Sequence, residues 1–279
     1  VGVAQEAYDL AVAYAKEREQ FGKKIIFFPA VYDMLSRMKA KLDGGRALLY
    51  ETARYVDVYK ALEEISKNRQ LTPEERKEMK KYSRMADAIT PLCKGMNSEY
   101  ANQAAYDAIS IHGGSGFIME YEAQRLYRDA RIFSIYEGTT QLQVVAAIRY
   151  VTNGTYLKII DEMLEHEVAE ELKPLQEHVR EMTVLYKQSI EYVKNADNQE
   201  MHDFLAHRLC DMTGDILVSL LLLDDATRDK ELFGRSAKIF VLAAKEKVVG
   251  HADYIQNFIA EDLKDFQVED ENTQEETEK

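Results

Sequence analysis

The chain has 279 residues, of which 46% are hydrophobic and 30% are charged, so it can bury the core of one large domain or of two ordinary ones. Its formal net charge of −13 disfavours nucleic acids and anionic membranes as main partners. No apolar run approaches the roughly 20 residues that cross a bilayer, and no secretory signal peptide is visible.

The two cysteines, Cys93 and Cys210, are too few for a disulfide scaffold and lack the spacing of metal ligands. We therefore expect a reducing compartment, the cytoplasm, and no metal site. The sequence lacks an initiator methionine and starts inside a helical pattern at Val1, so we expect it to be part of a longer protein.

The chain is predicted to be all-α, because prolines and glycines are scarce while Ala, Leu, Glu, Lys and Met are abundant. Apolar spacing of three and four residues predicts helices in the first half from Ala4 to a stop at Gly22, at 30–64, at 92–112 and at 140–151. Gly44–Gly45 permits close packing or a bend inside the second of these helices. Thr72–Pro73 predicts the start of a short solvated helix in a polar segment at 65–83, and Thr90–Pro91 predicts the start of the next helix. The segment at 117–138 has little helical period.

Asn153–Gly154 is the strongest predicted domain boundary. Further amphipathic helices are predicted near 156–170, 174–194, 200–227 and 231–264. We therefore expect a helical bundle at 1–153, a second helical bundle at 154–266, and a disordered acidic tail at 267–279.

Glu137 is the most informative candidate for chemistry. It lies between an apolar pair and the turn Gly138–Thr139, just before a predicted helix. A desolvated carboxylate there would have a raised pKa and suit a general base, and the backbone N–H of Glu137 could donate to an oxygen that gains negative charge. The structural alternative is that Glu137 only caps the helix that begins near Thr140.

Two further segments fit an anionic cofactor. The glycines in 113–116 could let backbone N–H groups approach a phosphate, although they follow a helix and so do not form a Rossmann fingerprint. Arg18 and Lys23–Lys24 flank the aromatic Phe21 at a helix end, where cations are also favoured for purely structural reasons. Of the six histidines, His112, beside these glycines, is the one with a candidate functional role, since none has the spacing of zinc or di-iron ligands.

Three motifs together identify a family. They are Arg18-Glu-Gln-Phe-Gly-Lys23, Ile111-His-Gly-Gly-Ser-Gly-Phe117 with Glu120, and Arg128-Asp-Ala-Arg-Ile132 followed by Ile135-Tyr-Glu-Gly-Thr-Thr-Gln141. In this order and spacing they closely resemble the C-terminal helical domain of the acyl-CoA dehydrogenases, over Val1 to about Asn153. Residues 154–266 resemble the additional helical region of the longer members of that family.

The resemblance implies an FAD enzyme that removes the pro-R α-proton of an acyl-CoA thioester and passes the β-hydrogen as hydride to the flavin N5, giving the trans-2-enoyl-CoA. It implies electron-transferring flavoprotein as the acceptor, and a homodimer or homotetramer with FAD at a subunit boundary, between this domain and a β-domain that would precede Val1. Glu137 would be the catalytic base, and its N–H would bond the thioester carbonyl beside Tyr136 and Gly138. The residues implied to contact FAD are Arg18, Phe21, Ser110, Gly113, Gly114, Thr139 and Gln141.

The sequence departs from the family pattern at two positions. Ser110 stands where many members carry a longer Gln, and Pro29 replaces another Gln. Two alternatives stay open at this stage: an acyl-CoA oxidase that uses oxygen, and a helical interaction module that has lost catalysis. We expect this chain alone to bind FAD weakly and to have no turnover.

Overall fold

The computed structural model describes residues 1–196 and 199–264, and it confirms an all-α protein. The predicted tail at 267–279 lies outside the described residues. The α-helices are α1 (Gly2–Glu17), α2 (Pro29–Asn68), α3 (Pro73–His112), α4 (Gly114–Phe117), α5 (Ala123–Ala130), α6 (Thr140–Thr152), α7 (Thr155–Leu164), α8 (Lys173–Asn195), α9 (Gln199–Arg228), α10 (Lys230–Asn257) and α11 (Glu261–Lys264). Short 3-10 helices lie at Ile25–Phe27, Arg131–Ser134 and Glu170–Leu172. Within the described ranges, none of the helices combines the length and hydropathy of a membrane span.

The helix α3 begins where the sequence predicts but does not stop where expected. Thr72 forms a capping box with Glu75, in which each side chain bonds the other residue's backbone N–H. The predicted new start at Thr90–Pro91 is wrong, because α3 continues through Pro91 to His112. Thr90 Oγ1 donates to the carbonyl of Ala86 at 2.7 Å, and Pro91 is buried, so tertiary packing outweighs the cost of an internal proline.

Four other boundaries differ from the prediction. The segment at 117–138, predicted to have little helix, contains α5, and α1 ends at Glu17 rather than at Gly22. A two-residue antiparallel ladder, β1 (Glu19–Gln20) with β2 (Lys23–Lys24), follows it. The helices predicted at 156–170 and 231–264 are both shorter, since α7 ends at Leu164 and α10 at Asn257.

The described helices bury two apolar clusters. The smaller one joins α1 and α5 to the start of α2 and the end of α3. The larger one joins the middle of α2 and α3 to α6, α7, α8, α9 and α10. The larger cluster therefore crosses residue 153, and the division there remains a prediction.

Glycines allow the long helices to approach each other closely, as the sequence predicts for Gly44–Gly45. A Cβ on Gly44 would lie 2.5 Å from Val218 Cγ1 of α9, and one on Gly45 would lie 2.3 Å from Asn97 Oδ1 of α3. A side chain at either position would have to displace Val218 or Asn97, so these glycines let α2 pack closely against both α9 and α3.

Candidate active site

The loop that carries Glu137 lies between the 3-10 helix Arg131–Ser134 and α6. Glu137 has φ 51° and Gly138 has φ 91°, both in the left-handed region. A non-glycine residue pays about 1–2 kcal/mol for that conformation. Strain of this kind is concentrated at functional sites, where the surrounding structure enforces it.

Gly138 is favoured by its φ and lies directly against the side chain of Gln143. A Cβ there would lie 2.6 Å from Gln143 Nε2 of α6. That amide nitrogen donates to the carbonyl oxygens of Glu137 and Gly138, each at 3.3 Å. The side chain of Gln143 therefore closes over the turn from the C-terminal side.

Thr139, not Glu137, caps α6. Its Oγ1 accepts a hydrogen bond from the Leu142 N–H at 3.3 Å, and the neighbouring Thr140 Oγ1 donates to Glu99 Oε1 at 2.6 Å. The structural alternative for Glu137 is therefore wrong, since the helix has a cap without it.

Glu137 and Tyr136 border an open pocket of about 580 Å³. The expectation that the Glu137 carboxylate is buried is wrong for this chain, because the residue is exposed. Among the residues that the structure describes, no oxygen accepts a hydrogen bond from the Glu137 backbone N–H. Glu137 is thus an exposed residue beside a pocket with a largely apolar lining, and its amide has no acceptor in the described chain.

Lys94 is a site residue that the sequence did not identify. It lines the same pocket, and its Nζ donates to the carbonyl oxygens of Phe133 at 2.8 Å and Gly138 at 2.6 Å. One feature of the sequence could have pointed to it: Lys94 is the one charged residue among the apolar and small residues of 91–96. In the structure it is half-buried.

The double-glycine turn forms a second group. Gly113 ends α3 with φ 59°, and a Cβ on Gly113 or Gly114 would meet no described atom within 4 Å. Tyr14 stacks on His112 with ring centroids 4.3 Å apart, and its hydroxyl donates to Ser115 Oγ at 3.2 Å. Burial lowers the pKa of His112, so this histidine supports the turn as a packed neutral ring.

The turn of the β-ladder contains the other strained residue. Phe21 has φ 51°, is followed by Gly22 with φ 77°, and is 94% exposed. Its ring makes an edge contact with Phe28 at 6.4 Å between centroids, and Lys23 Nζ lies 4.3 Å from the Phe28 ring. The exposed Arg18 directly precedes this ladder.

The predicted residues thus form separate groups in one chain. Tyr136, Glu137 and Gly138 share a loop, which is followed by the cap residue Thr139 and by the exposed Gln141 on α6. The pocket beside Glu137 is lined by none of Arg18, Phe21, Gly113 and Gly114. The remaining residue, Ser110, is exposed and donates to the Tyr106 carbonyl of its own helix at 3.1 Å. In the described chain, no cluster of His, Cys, Asp and Glu has the composition of a metal site.

Comparison with known proteins gives the context of these groups. A family profile described as "Acyl-CoA dehydrogenase, C-terminal domain" matches residues 1–151, and one described as "Acyl-CoA dehydrogenase C terminal" matches residues 152–263. The chain belongs to the acyl-CoA dehydrogenase family. The match includes the Glu137 loop, the double-glycine turn and the ladder with Phe21.

Members of the family with curated names are similar to slightly more than half of the chain. Subunit CarC of the caffeyl-CoA reductase-Etf complex of Acetobacterium woodii is 38% identical over 57% of this chain and 34% of its own length. The probable acyl-CoA dehydrogenase YngJ of Bacillus subtilis is 36% identical over 53% of this chain and 33% of its own length. The chain therefore spans about a third of these relatives.

A solved structure confirms the fold over almost the whole chain. The acyl-CoA dehydrogenase from Bacillus anthracis, complexed with FAD, superposes on 91% of this chain and 46% of its own with a TM-score of 0.70. Its sequence identity of 22% makes this a likeness of fold alone. A superposed share of 91% must include most of the second helical region, 154–264.

Proposed function

We propose that the whole protein is an FAD-dependent acyl-CoA dehydrogenase, and that this chain supplies its catalytic base. The observation that carries the proposal is the strained Glu137, which borders a pocket and whose own N–H has no acceptor among the described residues. The family match extends over this loop. The role of each site residue is part of the proposal.

Removal of a proton from the α-carbon of a thioester needs a base and stabilisation of the oxygen that gains charge. The Glu137 carboxylate would take the α-proton, because a carboxylate is competent once substrate displaces water around it. The Glu137 N–H would donate to the thioester carbonyl oxygen, where enolate-like charge develops. Tyr136, 45% exposed beside the same pocket, and Gly138 would line the thioester.

The residues present fit FAD. The space beside Gly113 and Gly114 is open to a ligand. Arg18 offers an exposed cation, and Phe21 offers an exposed ring on a residue with an unfavourable positive φ. These four residues, with Ser110, Thr139 and Gln141, would hold the cofactor. When bound, FAD accepts the hydrogen that leaves the β-carbon as hydride.

The separation of the predicted residues into groups supports an assembly of more than one copy. If one FAD contacts Thr139 of one copy and Phe21 of another, a homodimer or homotetramer would complete each site. In each copy, the group with Thr139 would contact that copy's own FAD, and the group with Phe21 would contact the FAD of the neighbouring copy.

The names of the relatives bear on partners and on direction. The relative from Acetobacterium woodii is named as a reductase and as part of an Etf complex. We include electron-transferring flavoprotein as the electron partner in the proposal. The same Glu137 would act in reverse by returning a proton to the α-carbon, so both directions should be assayed. We also include a reducing, cytoplasmic setting, since Cys93 and Cys210 are free thiols.

The proposal is tested with the full-length protein under anaerobic conditions. Purified protein should be yellow, and addition of an acyl-CoA should bleach the flavin absorbance, whereas Glu137→Gln should retain the flavin and lose the bleaching. An oxygen electrode then separates a dehydrogenase, which should release little peroxide, from an oxidase. Unchanged bleaching by Glu137→Gln contradicts the assigned base, and a protein without flavin or acyl-CoA response supports an interaction module.

A further inference from the structure

Lys94 connects the two ends of the loop that carries Glu137. Its Nζ bonds the carbonyl oxygens of Phe133 and Gly138, which precede and follow Glu137 in the chain. We propose that Lys94 is a positioning residue, which holds the Glu137 carboxylate and N–H in the arrangement that proton transfer needs. This inference rests on the function proposed above.

The loop needs support because its own backbone bonds stop at Glu137. The amides of Ile135 and Tyr136 donate to the Ile132 carbonyl, and the next backbone bond is from Gln143 to Thr139 at the start of α6. Between them the chain turns through two left-handed residues. Since the amino acid at the first of these is not glycine, the relaxed loop would favour another conformation.

Two side chains hold the turn, and Lys94 is the stronger of them. Its two bonds of 2.6 and 2.8 Å come from a charged donor, whereas Gln143 donates from a neutral amide at 3.3 Å to each of its two acceptors. Hydrogen bonds from ionised donors are shorter and roughly twice as strong as neutral ones. Loss of Lys94 should therefore free the loop more than loss of Gln143.

The position of Lys94 also makes it a rigid anchor. It lies in the middle of α3, whose neighbouring residues Leu92 and Cys93 belong to the larger apolar cluster. Lys94 is itself half-buried, and its ammonium group bonds the loop beside the pocket that Glu137 borders. The ammonium group of Lys94 thus ties α3 directly to both ends of the loop.

The test compares Lys94→Gln, Lys94→Arg and a control, Lys80→Gln, which removes an exposed lysine from the same helix. All are made in the full-length protein, and retained far-ultraviolet circular dichroism and flavin content establish folding. Hydrogen exchange of the peptide covering 132–140 and steady-state kinetics are then measured. Lys94→Gln should exchange faster in that peptide and lose kcat on the order of 100-fold with little change in KM. Lys94→Arg should recover part of the loss, and Lys80→Gln should match the wild type.

Either of two results would overturn the inference. Wild-type exchange and wild-type kcat in Lys94→Gln would show that the loop does not depend on this residue. A loss of kcat without faster exchange would show that Lys94 acts by another route. If Lys94→Gln does not fold, Lys94→Arg decides: exchange in the 132–140 peptide and kcat that change together support the positioning role, whereas a lower kcat with wild-type exchange contradicts it. The exchange result does not depend on activity, so it remains valid even if Glu137→Gln is fully active and the proposed function fails.

Discussion

Phe21 and Glu137 are the two non-glycine residues with positive φ in the described chain. Each lies in a motif that the sequence singled out for chemistry, and each is followed by a glycine that also has positive φ. Left-handed conformations of residues other than glycine cost about 1–3 kcal/mol when they are retained at functional sites. At the residue scale, the strain therefore falls on the two side chains assigned to substrate and cofactor.

Phe21 allows that strain to be separated from function. Phe21→Gly removes a ring that is 94% exposed and relieves an unfavourable φ. We expect an unchanged or higher Tm together with weaker retention of FAD by the full-length protein, measured by differential scanning fluorimetry and flavin release. A lower Tm with full flavin retention would mean that the ring serves the packing of this chain and not the cofactor.

At the scale of elements, local signals predicted starts better than ends. Thr72–Pro73 is a helix start in the structure because its capping box satisfies backbone donors locally. Thr90–Pro91 has a similar pattern but lies inside α3, because buried packing on both sides of Pro91 maintains the helix. Local sequence marks where a helix can start. Whether it does start there also depends on tertiary packing by residues that are distant in the sequence.

For the candidate site, the sequence predicts which segments carry chemistry but not how their side chains are arranged. The motifs locate the Glu137 loop and the double-glycine turn, because their chemistry depends on residue type and spacing. The exposure of Glu137 and the bonds from Lys94 were not predictable, because both depend on how α3 lies against the loop.

The close contact between α2 and α9 predicts that alanine at Gly44 destabilises the protein. Gly44→Ala would place a Cβ 2.5 Å from Val218 Cγ1, on a stiff and fully buried side chain. Although Ala favours helix, overpacking should dominate and lower the free energy of unfolding by about 1–2 kcal/mol.

The matched control is Gly250→Ala in α10, where a Cβ meets nothing within 4 Å. It should raise the free energy of unfolding by up to about 1 kcal/mol. Denaturant titration measures both variants. Equal effects of the same sign would show that the close approach of α2 and α9 does not limit stability.

At the scale of the whole molecule, the two helical regions meet around a pocket of about 300 Å³ that several charged side chains border. Its lining includes Tyr100 of α3 and Asp215 of α9, and the Tyr100 hydroxyl and Asp215 Oδ2 are buried without a hydrogen-bond partner among the described residues. Lys247 Nζ lies 3.5 Å from Asp215, and Lys41 and Asp211 border the same cavity. We call the residues that border this pocket the seam. Its buried carboxylate, Asp215, has an ion pair with Lys247 but no hydrogen-bond partner for Oδ2 among the described residues.

The seam should make stability depend on pH. Burial raises the pKa of Asp215 to about 6, against attraction by Lys247 that lowers it. Because this folded-state pKa lies above that of the unfolded chain, the stabilising contribution of protonated Asp215 is complete below about pH 4 and is lost as pH rises through 6. Asp215→Asn should therefore raise Tm relative to the wild type at pH 8, by an amount equivalent to a few kcal/mol (about 2–3), and the difference should shrink near pH 4. A variant that is less stable at pH 8 would show that the charged pair with Lys247 is net favourable.

We propose that one residue of this chain, Glu137, takes the α-proton of the substrate. Deuterium exchange at the α-carbon measures that step directly, with full-length protein and an acyl-CoA in D2O, in the absence of an electron acceptor, followed by mass spectrometry of the recovered thioester. We predict that the wild type introduces deuterium, and that Glu137→Gln, with equal FAD content, does so at least about 100-fold more slowly. Exchange by Glu137→Gln at the wild-type rate would contradict the account.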